Sequence, residues 1–327
     1  MEWVDDFLRM LFCLESKEAN VEGAYMLKYG NLPKSVFKYR QVSDTSLQNL
    51  VDDTVWLADP QSFNDPYDCG QGLDMHAMSA DYLANPPDEL LSMMSTETRD
   101  AVTRLVKEGK NPMEAWLDDL TEKMSPEDSI QLRDFFHSIT QRMYFELEAQ
   151  HAQNFKRSVK ACSFSTRVDS VLMWSHYANC HQGFCIEYDL SAVPYSNWVS
   201  RFMYPVIYSD RPFDATSYFT KAPQGGANIL RLNLAALIKS EDWAYEKEWR
   251  ILISNGFMEK AGPIAMPTPT TVYLGSHISQ EDQRQIEEIC RRKKIPTKKM
   301  RHANNAFEMQ AVEVQDADRR MLSSLRS

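Results

Sequence analysis

The stretch Asp242-Trp243-Ala244-Tyr245-Glu246-Lys247-Glu248-Trp249-Arg250-Ile251-Leu252 sets two carboxylates one residue apart against the start of an apolar, strand-like run. On extended backbone, residues i and i+2 point to the same side, so Glu246 and Glu248 would present two acids to one cleft. Two close acids can split into one proton donor and one base, can stabilise a cationic transition state, or can bind a divalent metal. Paired with Lys247 and Arg250, they would instead form surface ion pairs at a strand end.

Outward from this stretch, short strand-like runs recur at Val36-Phe37-Lys38-Tyr39-Arg40, Thr54–Ala58, Val159–Ser165, Gly183–Asp189, Val206–Tyr208, Arg250–Ile253 and Thr271–Gly275. Helical spacing marks residues 3–14, a segment capped by Ser43-Asp44, a short helix from Asp169 through Asn179, and residues 227–238 and 279–292. Strands that group, rather than alternate strictly with helices, favour an α+β fold with a mixed or antiparallel sheet. Between about residues 88 and 155 the chain turns helical, with Pro112 and Pro126 as expected helix starts. Residues 77–155 hold 15 Asp and Glu against 7 Lys and Arg, most of the formal net charge of −10. The expected organisation is an N-terminal helix over residues 1–30, then a single α+β domain over 31–327. An acidic helical subdomain, inserted at about 77–157, is a candidate protein-docking surface.

An acidic chain argues against a surface that coats nucleic acid, although local basic clusters stand at Lys156, Arg157, Lys160 and Arg167 and again between Arg291 and Arg301. The ordinary reading of such clusters is a solvated helix flank. Six cysteines are scattered, and the opening Met1-Glu2-Trp3-Val4-Asp5-Asp6 has no charged-then-apolar leader, so reduced thiols in a cytoplasm are expected. The apolar runs fall well short of the roughly 20 residues of a membrane span.

Two further stretches carry candidate chemistry. In Asp59–Gly70, prolines stiffen a loop whose Asn64, Asp65 and Asp68 either satisfy their own turns or line a ligand pocket. In Ser170–Cys185, a zinc set of His176, Cys180, His181 and Cys185 matches no standard spacing, so no metal is expected. Trp174 and Tyr177 read as core, and His176 as a buried histidine or a polar group at a cleft.

Taken in order, Phe37-Lys38-Tyr39-Arg40, Phe63-Asn64-Asp65-Pro66-Tyr67-Asp68, Cys162-Ser163-Phe164-Ser165, Met173-Trp174-Ser175-His176-Tyr177-Ala178, Gly183–Tyr188, Tyr245–Arg250 and Val272–Gly275 resemble the bacterial family known as domain of unknown function 2971. That resemblance runs from about residue 36 to 314 and implies no established activity. More distantly, the chain resembles the Arg–Ser–Glu class of the ADP-ribosyltransferase fold. The resemblance matches Arg40 to the arginine, Ser163-Phe164-Ser165 to the serine strand and Glu246-Lys247-Glu248 to the acidic turn.

It implies an ADP-ribosyltransferase-like enzyme that uses NAD as substrate, a toxin or phage-defence effector acting on a protein or nucleic-acid acceptor. Glu248 would stabilise an oxocarbenium ion while Glu246 positions the acceptor, and Arg40 would pair with the pyrophosphate. Ser163 or Ser165 would hold the nicotinamide ribose, and Tyr39, Trp174 or Tyr177 would stack on the ring. Rival expectations are a metal-dependent nuclease or hydrolase using Glu246, Glu248, Asp65 and His176, and a non-enzymatic ligand or partner sensor.

Overall fold

The computed structural model describes residues 2–84, 96–108, 110, 117–118, 121–122, 124–254, 258 and 260–314. Eight strands build its main sheet: β1 (Ser35–Arg40), β2 (Val159–Ser165), β3 (Phe184–Asp189), β4 (Met203–Pro205), β5 (Glu248–Ser254), β6 (Thr271–Leu274), β7 (Thr297–His302) and β8 (Met309–Glu313). Their order across the sheet is β8-β7-β6-β3-β1-β2-β5-β4. The β6–β7 pair is parallel and the other neighbours are antiparallel, so the sheet is mixed and mostly antiparallel.

Side-chain alternation divides the core between the two faces. Trp249, Ile251 and Ile253 of β5 join Val36, Phe164, Ile186 and Val272 in the largest cluster. Leu252 points the other way, into a cluster with Phe7, Phe12 and Val159. A third cluster gathers Phe37, Tyr39, Met173, Trp174 and Cys185. Each large apolar side chain so buried contributes roughly 1.5–3 kcal/mol.

The first 30 residues form two helices, α1 (Glu2–Leu11) and α2 (Val21–Gly30), where one was expected; Asn20 caps the second by accepting from the Gly23 amide at 2.9 Å. Ser43 caps α3 (Asp44–Val51) through a capping box. Helices α4 (Met75–Ala84), α5 (Thr96–Lys107) and α6 (Pro126–Ser158) fall within or beside the expected helical insert. Pro126 does start α6, behind a Ser125 cap, whereas Pro112 lies outside the described residues.

Helix α7 (Val171–Tyr177) is capped by Ser170, one residue later than expected, and stops short of Asn179. It stops because Asn179, Cys180 and His181 all take left-handed backbone, with φ of 47, 51 and 67°. His176, Cys180 and His181 therefore do not share one continuous helix. Residues 229–236 form a 3-10 helix in place of the expected α-helix, and α8 spans Gln280–Lys293.

Two departures concern strands. Ile207–Ser209 leaves the main sheet and pairs in parallel with Ile238–Ser240, setting Tyr208 opposite Lys239. Strands β7 and β8 were not anticipated, because Thr-Lys-Lys-Met-Arg-His buries only Met300 and lacks an apolar alternation.

One seam in the sheet matters for everything that follows. β1 and β2 share a single register pair, Phe37 with Ser165. Further along β2, Ala161 instead exchanges two hydrogen bonds with Ala58, at 2.9 and 3.0 Å. Between these contacts the Ser163 carbonyl is met by a side chain, accepting from Lys38 Nζ at 2.7 Å. The sheet is thus open over residues 162–164.

Candidate functional site

The opening in the sheet is a cavity of about 210 Å³. β1 contributes Lys38, Tyr39 and Arg40, β2 contributes Ser163 and Ser165, and Asn64, Asp68, Tyr177, Lys239, Glu246 and Glu248 complete its polar lining. The structure therefore brings together Glu246, Glu248, Arg40, Tyr39, Asn64, Ser163, Ser165 and Tyr177 from five separate segments.

Three other candidates lie elsewhere. Asp65 is turned into its own loop, accepting from the Tyr67 amide at 2.9 Å. Trp174 is fully buried beneath Tyr39, edge-on at 5.2 Å between ring centroids, and donates to the Val168 carbonyl at 2.7 Å. His176 is exposed, with Nδ1 2.8 Å from the Tyr245 hydroxyl.

The two acids converge, but not by the alternation of an extended strand. Glu246 ends a 3-10 helix, Lys247 is left-handed with φ 47° and ψ 52°, and Glu248 opens β5. The Ser165 hydroxyl clamps this reversal, donating to the Glu246 carbonyl at 2.6 Å and accepting from the Arg167 amide at 3.1 Å. Ser165 thus acts on the turn rather than on a ligand.

Nor are the acids a surface pair. Glu246, Glu248 and Arg250 are 3%, 3% and 1% exposed. Arg250 Nη1 and Nη2 grip the Asp68 carboxylate at 2.8 and 3.0 Å, and Nε donates to Glu248 at 2.9 Å. Nη1 also donates to the Ala236 carbonyl at 2.7 Å. Lys239 donates to Glu246 at 2.6 Å and to Glu248 at 3.2 Å. Tyr177 donates to the remaining Glu246 oxygen, and the Tyr208 hydroxyl accepts the Glu248 amide at 2.9 Å. Sequence reasoning missed Lys239 altogether and gave Arg250 only a surface role. The available signal was a lone lysine and a lone arginine within otherwise apolar strand segments, where an unpaired cation would be costly.

Three carboxylates against two cations leave one negative charge in excess, and Glu246 absorbs it. Burial, then the neighbouring Glu248 carboxylate, raise the Glu246 pKa to about 7 against the pull of Lys239. Burial would also raise Glu248, but Arg250 and Lys239 outweigh it and hold that carboxyl down at about 2. Ser163 and Glu246 act in the same direction on Glu248, favouring its ionised form. The dyad thus shares one proton near neutrality, with Glu246 carrying it and Glu248 ionised. Burial and Glu246 push the Tyr177 phenol far above its ordinary value, so it remains a donor. Among the described residues no group of three His, Cys, Asp or Glu is placed to hold a metal ion.

Fold and site together define a mixed α/β protein with a buried carboxylate dyad at an opening in its sheet. The model of the family described as "Protein of unknown function (DUF2971)" matches residues 173–251, from α7 into β5. That span contains Tyr177, Lys239, Glu246, Glu248 and Arg250, so the family resemblance falls on the acid–cation cluster. No curated protein and no solved structure matches the chain. No helix among the described residues is long and apolar enough to cross a membrane, and all six cysteines are free thiols.

Proposed function

We propose that the cavity breaks the glycosidic bond of a nicotinamide nucleotide, with NAD as substrate, and passes the ADP-ribosyl unit to a macromolecular acceptor or to water. The observation that carries this reading is the dyad: two carboxyls bridged by Lys239, with pKa values driven apart to about 7 and about 2, lining one cavity with Arg40 and Ser163. As the C1′–N bond breaks, its electron pair leaves with neutral nicotinamide and positive charge grows on the ribose. Ionised Glu248, held in place by Arg250 and Lys239, meets that charge. Glu246 takes the proton of the incoming hydroxyl, a task suited to a base poised near neutrality.

The opening in the sheet supports the same reading. Residues 162–164 present a strand edge to the cavity, and backbone edge groups are natural partners for a carboxamide. Tyr39, braced by Trp174, offers an aromatic wall. At about 210 Å³ the cavity is smaller than the roughly 300–1,000 Å³ of a pocket for a whole ligand. It suits the nicotinamide-ribosyl end of a dinucleotide.

Incubating the protein with NAD and following nicotinamide release tests the proposal. The wild type releases nicotinamide, and Glu246→Gln lowers the rate by roughly 10²–10⁴. No release from the wild type, alone or with cell extract as acceptor, overturns it.

A further inference from the structure

A second depression adjoins the first. A groove of about 460 Å³ is lined by Pro60, Gln61, Phe63, Asn64, Asp65, Pro66, and by Gln153, Lys156 and Arg157 of α6. Phe63 and Asn64 line both spaces, so one wall divides the cavity from a groove that carries two cations. The loop between them is rigid: Asp59 accepts from the Gln61 amide at 3.0 Å, and Asp65 accepts from the Tyr67 amide. Asp65, the acid that lines the groove, is buried and committed to its own turn.

Basic residues in the last turn of a helix ordinarily offset its partial negative end. Here that role is filled by another residue. Lys160, itself buried, donates to the Arg157 and Val159 carbonyls at 2.9 and 3.1 Å and so covers the terminus of α6. Lys156 and Arg157 are therefore in surplus. Lys156 Nζ donates one hydrogen to the Pro66 carbonyl at 2.7 Å, which fixes the ammonium at the groove while two of its three hydrogens remain for a ligand. Arg157 is exposed beside it, a planar fork suited to paired phosphate oxygens.

We infer that this groove binds the diphosphate of a nucleotide, with Lys156 and Arg157 as its ligands and Asn64 at the junction with the cavity. The inference rests on the glycosidic reading for why the two spaces adjoin: a dinucleotide would place its cationic, scissile end on the dyad and its anionic middle on the lysine and arginine. The groove sets two cations, Lys156 and Arg157, directly beside the site.

The test is calorimetric titration of wild type and Arg157→Ala with ADP, and separately with nicotinamide riboside, which carries no phosphate. Arg157 is exposed, so its variant keeps the fold; Lys156→Gln, read the same way, checks the second ligand. ADP affinity is expected to fall by about tenfold in Arg157→Ala, as for one lost charge-assisted bond. It should also weaken with salt more steeply in the wild type than in the variant. Inorganic pyrophosphate should compete with ADP, and riboside affinity should be unchanged. Failure of ADP to bind the wild type, equal binding to both proteins, or no competition by pyrophosphate overturns the inference. If ADP binding depends on Arg157 but nicotinamide is never released from NAD, the groove stands and the glycosidic reading falls.

Discussion

On the proposed reading Glu246 is the base because of what surrounds it, and its charge state is the first thing an experiment can reach. With a carboxyl raised to about 7 by burial and by Glu248, nicotinamide release should rise as pH increases through about 7, as the base form appears. The pH–rate profile of Tyr177→Phe should shift to higher pH, since the phenol donates to Glu246 and favours its ionised form. A profile that stays in place would show that Tyr177 only packs. Arg250 belongs to the same scale: it holds Asp68 and Glu248 with its guanidinium fully buried. Arg250→Met should cost roughly 3–5 kcal/mol in urea unfolding, because two buried carboxylates lose their partner. The Glu246–Glu248 pair was legible in the sequence, since adjacent acids before an apolar run are visible locally. The rest of the cluster was not, because Lys239 arrives on a separate short strand and Asp68 from a loop, and only the fold brings such distant residues together.

At the scale of elements, backbone conformation decides where the site residues stand. Lys247 occupies left-handed backbone between the two acids, so Lys247→Gly should be neutral or stabilising. Lys247→Val should lose roughly 1–2 kcal/mol by the strain of a branched side chain there. Thermal unfolding of the two variants measures the difference. Gly183 shows the opposite constraint, since a Cβ there would lie 2.1 Å from the Arg40 carbonyl. Gly183→Ala must therefore move β3 or displace Arg40 at the cavity mouth. Elements with strong local signatures were readable: Ser43 before α3, Ser125-Pro126 before α6, and the apolar runs of β2, β3 and β5. Those that escaped depend on distant partners. β7 is a charged run that becomes a strand only because β6 and β8 flank it.

Two buried groups near the site and one away from it tie the stability of the whole molecule to pH. The folded protein holds a proton on Glu246 from its ordinary value of 4.5 up to about 7, so stability falls as pH rises through that window. Glu248, held down at about 2, contributes stability above 4.5 that is lost as pH falls toward 2. Lys28 is buried among Tyr25, Tyr29 and Tyr204, and burial, with Arg201 nearby, lowers it to about 7; its share of stability rises from there toward 10.5. Urea midpoints of the wild type should therefore decline between about pH 5 and 7, and Glu246→Gln should flatten that decline. An equal slope in both proteins would place the proton elsewhere.

The seam between β1 and β2 also bears on how the chain reaches this state. Joining Phe37 to Ser165 closes a loop of more than a hundred residues, yet secures one register pair, whereas β1 with β3 and β2 with β5 form six- and seven-residue ladders. Closing so long a loop for so little reward favours building the two ladders first and letting them meet late. Mutations at Phe37 that loosen the seam should then accelerate unfolding while leaving the refolding rate nearly unchanged. The opening beside the cavity would be the last part of the sheet to form and the first to part.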